Sequence, residues 1–308
     1  SGVCEAVIVA VPHYLHPSMA IEAMETGLHV IVEKPAGVYT KQVERMNAVA
    51  AKHPELVYCM DFNQRTNPLY KKVKDLIDSG DLGEMKRVIW IITDWYRSQS
   101  YYDQGGWRAT WDGEGGGVLL NQNPHNLDLW QWMCGMPKRV KSEVYYGKHR
   151  KIEVEDDLYA LVEYENGATG CYITTVGDAP GTNRLEIDGT NGKIVVENNE
   201  LTFYRLRTPE PEFNATYKGG LGKPEVWECK IPIKGSYTSH PGIINNFCDC
   251  ILKGAKPIAP GAEGIRGLQI SNAIHLSSWL NGEWVDLPVD GDLFLTKLQE
   301  HCKKPVTE

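Results

Sequence analysis

The sequence predicts an α/β unit joined to an α+β unit: a short parallel sheet with helical crossovers, then a domain built on a large, mostly antiparallel sheet. Two observations predict the first part. Apolar runs at 6–11 and 28–32 are continuous rather than alternating, as in parallel strands covered on both faces. The stretch between them has helical spacing, which makes strand, helix and strand one crossover unit. A third observation predicts the second part. From Met85 onward, β-rich segments alternate with turn signals such as Glu165-Asn166-Gly167 and Thr190-Asn191-Gly192.

Taken in order, the first strand leads into His13-Tyr14-Leu15-His16 and a helix. Pro17 suits its first turn, Met19, Ala20, Ala23 and Met24 form its apolar face, and Gly27 suits its end. Val30, Ile31 and Val32 then make a buried strand with Glu33 and Lys34 at its carboxyl end, the edge where open α/β sheets bind ligands. A lysine at that mouth is partly desolvated, which lowers its pKa and suits proton transfer. The competing reading is a surface ion pair at a strand end. Thr40 is the expected N-cap of a helix reaching about residue 52 on Val43, Met46, Val49 and Ala50. Residues 56–61 read as the last parallel strand, leading to Phe62-Asn63-Gln64-Arg65. Asn67 and Pro68 start another helix and Gly80 stops it. Asp81-Leu82-Gly83 is the expected boundary between domains 1–82 and 83–308.

In the second domain, strands are expected at 85–95, 140–146, 158–164, 168–176, 184–188, 194–196 and 201–205. Helices are expected at about 124–134, 241–253 and 262–280. The first of these has Asn123 as N-cap and Pro124 at its first position, so His125 sits in its opening turn. Leu127, Leu129, Trp130, Trp132 and Met133 leave that helix little polar surface. Burial and the positive end of the helix dipole lower the pKa of such a histidine and keep it neutral, as a general base must be. The competing reading is a core histidine satisfied by a backbone carbonyl or by Asp128.

Composition excludes several classes. The net charge of −8, with no basic run, argues against nucleic acid as partner. No apolar run approaches the roughly 20 residues that span a bilayer, and no signal peptide is read. The 8 cysteines are scattered, and Cys248 and Cys250 point in different directions on a helix. They read as reduced, buried thiols of a cytoplasmic protein, with no metal site expected.

Three motifs carry a family resemblance: Val9-Ala10-Val11-Pro12-His13-Tyr14-Leu15-His16, the segment from Gly27 to Pro35, and Gly115-Gly116-Gly117-Val118-Leu119-Leu120-Asn121-Gln122-Asn123-Pro124-His125-Asn126-Leu127-Asp128. Together they resemble the Gfo/Idh/MocA oxidoreductases, relatives of glucose–fructose oxidoreductase and inositol dehydrogenase. The resemblance spans nearly the whole chain except the family's beginning. It implies an incomplete Rossmann-type parallel sheet, starting near the family's fourth strand, and an α+β domain whose open sheet face makes a homodimer or homotetramer. The Gly-x-Gly-x-x-Gly turn that holds a pyrophosphate is not found, since Gly113-Glu114-Gly115-Gly116-Gly117 and Gly219-Gly220-Leu221-Gly222 have the wrong spacing. Weak cofactor binding by this chain and a bare apolar edge on its first strand are therefore expected.

The resemblance further implies NAD or NADP as cofactor, and hydride transfer to or from a secondary hydroxyl or ketone of a sugar, polyol or related carbohydrate. By the same resemblance Lys34 and His125 are catalytic. Pro12, His13, His16, Glu33, Lys34, Trp107 and Arg108 are cofactor-binding, and Asn63, Arg65, Asn121 and His125 are substrate-binding. Asp128 is expected to orient its neighbours, and the Lys34–Pro35 bond to be cis. Asn121 stands where many members have aspartate, and an amide cannot take a proton. Trp90, Trp95, Tyr96, Tyr101, Tyr102, Trp107 and Trp111 form an aromatic crowd suited to sugar faces or to core packing. Two rival functions remain at this stage: a glycoside-cleaving enzyme that recycles its NAD, and a catalytically silent chain that only dimerises or binds ligand.

Overall fold

The computed structural model describes residue 2 and residues 4–306. Strands β1 (Ala6–Val9), β2 (His29–Val32) and β3 (Tyr58–Met60) form a parallel sheet in the order β1-β2-β3. Helices α1 (His16–Glu25), α2 (Thr40–Ala50) and α3 (Pro68–Asp78) follow the successive strands. The apolar run of β2 is the reason it is central: Val30, Ile31 and Val32 are fully buried. β1 is an edge strand and only partly covered, so Ile8 is 51% exposed, contrary to the reading of a strand buried on both faces. Met19 likewise faces outward rather than joining the α1 core of Ala20, Ala23 and Met24.

Two caps differ from expectation. Thr40 is the first helical residue of α2, and its amide donates to Asn272 Oδ1 at 3.1 Å. Gln42 Oε1 instead accepts from the amides of Val38 and Tyr39 at 3.0 and 3.2 Å. A longer side chain in the first turn reached back and took the capping role. Asn67 caps α3 as its type predicts, accepting from Leu69 at 3.0 Å.

The second sheet begins with β4 (Met85–Ile92), followed by α4 (Gln99–Asp103) and α5 (Pro124–Cys134). Strands β5 (Arg139–Tyr146), β6 (Glu155–Glu163), β7 (Thr169–Thr175), β8 (Asn183–Gly189), β9 (Gly192–Glu197) and β10 (Glu200–Leu206) come next. The chain closes with α6 (Glu210–Thr216), β11 (Val226–Lys230), α7 (Ser239–Lys253), α8 (Gly264–Trp279), β12 (Val285–Asp286) and α9 (Gly291–His301). The order across the sheet is β11-β10-β9-β8-β4-β7-β6-β5-β12, antiparallel except where β4 meets β7. Alternation sets its two faces. Leu158, Ala160 and Val162 of β6 point into the core, while Tyr159 and Leu161 point out and are 47% and 45% exposed. The inner face is covered by α5 and α8: Trp130 packs edge-on against Tyr172, and Ser142 Oγ donates to the Ile274 carbonyl at 2.6 Å.

Among the described residues no helix is long and apolar enough to cross a membrane. All eight cysteines are unpaired, but only Cys59 and Cys250 are buried, and Cys4 and Cys248 are exposed. The expectation that most were buried is corrected accordingly.

Candidate active site

Lys34 leaves the carboxyl end of β2 through Glu33, and its bond to Pro35 is cis. Its Nζ donates to the backbone carbonyl of Asn121 at 2.7 Å, which ties the parallel sheet to the loop before α5. Burial lowers the Lys34 pKa, and Arg108 and Arg97 push the same way against the opposing charges of Glu33 and Glu114. Arg97 was not singled out from sequence.

The loop itself is held from below. Glu155 is fully buried, and its carboxylate accepts from the amides of Gly117 at 2.7 Å and Leu119 at 2.9 Å. The Gly117 carbonyl in turn accepts from the amide of Asn121 at 2.9 Å. Asn123 stands at the N-cap of α5 as predicted, but its side chain makes no capping bond and donates instead to the Thr174 hydroxyl on β7. The N-cap role is replaced by a tether to the sheet.

His125 follows in the first turn of α5. Its Nδ1 is buried without a hydrogen-bond partner, and Phe62 lies edge-on to its ring at 6.5 Å. Burial, then the charges of Lys34 and His240, lower its pKa to about 3. The reading of a histidine satisfied by Asp128 does not hold, because Asp128 is taken by others. Arg65 Nε and Nη2 donate to Asp128 at 2.8 and 2.6 Å, and Gln131 Nε2 donates at 3.0 Å.

Glu114 is the residue that sequence reading missed. It is 1% exposed, and its carboxylate accepts from the Ala109 amide at 2.7 Å and from the side-chain amide of Asn121. Burial pushes its pKa up to about 7, against the pull of those two bonds and of Arg108. The available signal was one acid enclosed in Gly113-Glu114-Gly115, a run weighed only as a phosphate loop.

The expected cofactor residues gather on the β1 side of Lys34. His13 Nδ1 lies 2.9 Å from the Glu114 carbonyl, and His16 Nδ1 lies 2.7 Å from the Pro35 carbonyl. A carbonyl only accepts, so each Nδ1 carries the proton. This leaves His16 Nε2 as a buried acceptor without a partner. Burial lowers both pKa values, that of His13 to about 3. Trp107 meets the His13 ring edge-on at 6.0 Å, and Arg108 lies over Trp107 at 5.0 Å. Pro12 is represented by its carbonyl, which accepts from Leu15 at 2.8 Å.

Two expectations change. Arg65 does not face a ligand: it is 1% exposed, and besides Asp128 it donates to Glu263 at 2.6 Å and to the Ile258 carbonyl at 3.3 Å. Its donors are spent on structure. The aromatic crowd also divides, since Trp90, Tyr102 and Trp111 are core residues, whereas Tyr96 and Trp107 keep 49% and 38% of their surface exposed. Asn63 lies at the end of β3, with Nδ2 at 3.0 Å from a ring nitrogen of His240. Beside it Asp61 is buried, and burial and Glu33 push its pKa up to about 6 against the effect of His240.

Comparison with known proteins agrees with this architecture. The levoglucosan dehydrogenase of Pseudarthrobacter phenanthrenivorans is 26% identical over 315 residues, covering 92% of this chain and 80% of that protein. The NADP-dependent scyllo-inositol 2-dehydrogenase IolW of Bacillus subtilis is 25% identical, covering 89% of this chain and 76% of that protein. The crystal structure of the WlbA dehydrogenase from Bordetella pertussis, in complex with NADH and UDP-GlcNAcA, superposes with a TM-score of 0.78 at 26% identity, covering 94% of this chain and 80% of that one. The family model described as an oxidoreductase family with NAD-binding Rossmann fold matches residues 1–60, and the GFO/IDH/MocA C-terminal domain matches residues 70–195. With both halves of one family matched in order along the two sheets, the chain belongs to the Gfo/Idh/MocA oxidoreductases.

Proposed function

We propose that this chain is an NAD(P)-dependent oxidoreductase that moves a hydride between nicotinamide and a secondary hydroxyl or ketone of a sugar, polyol or related carbohydrate, with Lys34 and His125 as its proton-transfer residues. The single observation behind this reading is a half-buried, electrically tuned pair where the end of β2 meets the start of α5: His125 with an unpartnered Nδ1, and Lys34 bound to the Asn121 carbonyl.

Oxidising a carbinol releases a proton as the hydride departs, so the site needs a group that accepts it. His125 is neutral at working pH and offers a free ring nitrogen. Lys34 is close enough to His125 for its charge to lower the histidine's pKa, and it completes a path for the proton. Asn121 is held at its carbonyl by Lys34 and at its amide nitrogen by Glu114, which leaves Oδ1 to orient a substrate hydroxyl.

The residues present fit the nicotinamide end of the cofactor: His13 and Trp107 give flat faces, and the orphaned His16 Nε2 can accept from a carboxamide. Glu33, Pro12 and Arg108 border the same edge. When bound, the nicotinamide carries the hydride. Asn63 remains a substrate contact in this reading, and Arg65 is withdrawn from it.

In this reading residues 1–82 form the cofactor domain and 83–308 the substrate domain. The outer sheet face, with Tyr159 and Leu161 exposed on β6, supports homo-oligomer formation, and eight unpaired thiols suit a reducing, cytoplasmic compartment. The test is spectrophotometric: purified chain with NAD or NADP and a panel of anhydrosugars, inositols and aldoses. With the cofactor at millimolar concentration, to offset the weak binding expected without the Gly-x-Gly-x-x-Gly turn, reduction of cofactor by at least one carbohydrate is expected; none in either direction, with alcohols or the matching ketones, overturns the proposal.

A further inference from the structure

Three potential metal ligands converge beside the acid–base pair, at the ligand-binding edge of the parallel sheet. One ligand atom each from Glu33, Asp61 and His240 lie within 4.8 Å of one another. They arrive from three elements: the end of β2, the end of β3 and the first turn of α7. No spacing in the sequence could show this, because each ligand is alone in its segment.

Asp61 is the reason the cluster needs an occupant. The residue is 2% exposed, and its carboxylate makes no hydrogen bond among the described residues; Oδ1 is fully buried and unpartnered. Only its backbone amide is paired, donating to the Val32 carbonyl at 2.8 Å. A buried carboxylate without donors is costly, and a second carboxylate beside it adds repulsion. A shared proton would relieve the charge but still leave acceptor oxygens unmet. Asn63 repeats the pattern. It is buried, its Oδ1 has no partner, and its Nδ2 lies 3.1 and 3.0 Å from the two ring nitrogens of His240, only one of which can accept from it.

We propose that Glu33, Asp61 and His240 bind a divalent transition-metal ion, Mn²⁺ or Zn²⁺. Two carboxylates and one imidazole are a donor set of intermediate hardness, which suits these ions better than the all-oxygen shells of Mg²⁺ or Ca²⁺. Ligand atoms around a common ion stand about 3–4.4 Å apart, given metal–ligand bonds of about 2.0–2.2 Å. The 4.8 Å limit lies above that range, so side-chain rotation of up to about an ångström closes the set. Three protein ligands leave coordination positions open, and Glu33 adjoins Lys34, so a substrate oxygen is the chemical class that would fill them.

The experiment reads binding without turnover, so its result is independent of the oxidoreductase reading. The tag-free, chelator-treated chain is titrated calorimetrically with Mn²⁺, Zn²⁺ and Mg²⁺ separately. One equivalent of Mn²⁺ or Zn²⁺ should bind, with affinity reduced by about 10²-fold or more in Asp61→Asn and in His240→Ala. His240 is exposed, so its truncation leaves the core untouched and keeps the test decisive if Asp61→Asn fails to fold. Absence of Mn²⁺ and Zn²⁺ binding, or binding that His240→Ala leaves unchanged, overturns the site. Preference for Mg²⁺ overturns the assigned ion class.

Discussion

Lys34 Nζ and the backbone carbonyl of Asn121 are joined at 2.7 Å across the junction of the two sheets. The bond fixes the lysine against the loop that presents His125 four residues later. Lys34→Ala and His125→Ala should each lower turnover by about 10²-fold or more, the usual contribution of a general acid or base. Steady-state kinetics on folded variants checks this, and unchanged turnover in both would mean that the proton-transfer residues lie elsewhere.

Glu114 gives the site a titration near neutrality. Its carboxyl rises from an ordinary 4.5 to about 7 in the folded chain. The folded state therefore holds this proton more tightly than the unfolded state does. The resulting stabilisation is full below pH 4.5, is lost as pH rises to about 7, and is constant above that. Glu114→Gln should flatten this part of the stability–pH curve, as read by urea denaturation between those limits. A variant with the same slope as the parent would show that Glu114 ionises normally.

Much of this arrangement could be read from the sequence, for local reasons. The run Val30-Ile31-Val32 requires a covered strand, and Asn67-Pro68 and Gly80 bound α3 by backbone chemistry alone. What failed depended on distant partners. Thr40 lost its capping role to Gln42, and Arg65 looked like a ligand contact until Asp128 and Glu263 arrived from 63 and 198 residues away. Glu114 and the Glu33–Asp61–His240 cluster are products of tertiary assembly with no spacing of their own. The helix α9 was legible but passed over, since Asp290 caps it by accepting from the amides of Asp292 and Leu293.

The Arg65 network should behave as structure rather than as site. Asp128→Ala leaves a buried guanidinium with Glu263 as its remaining carboxylate, and should cost about 3–5 kcal/mol in urea denaturation. Replacing both partners, Arg65→Met with Asp128→Leu, removes the stranded charge and should recover much of that loss. A double variant no more stable than Asp128→Ala would contradict this account.

The loop that carries Asn121 and His125 passes so close to β6 that only glycine fits at position 117. A Cβ there would lie 2.1 Å from the Glu155 carbonyl oxygen and 2.9 Å from Val154 Cγ2. The first of these is backbone in a paired strand, so the loop must move instead. That movement would pull the Gly117 and Leu119 amides away from the Glu155 carboxylate and displace Asn121, whose amide rests on the Gly117 carbonyl. Gly117→Ala should therefore destabilise the chain by about 1–3 kcal/mol, as overpacking does. It should also reduce turnover, although residue 117 touches no reacting group. Gly220→Ala is the control: nothing lies within 4 Å of its added Cβ, and its effect should stay within about 0.5 kcal/mol. Thermal denaturation and kcat measured on both variants decide the matter. If Gly117→Ala matches the control in both, the loop is not wedged against β6, and the placement of Asn121 and His125 needs another cause.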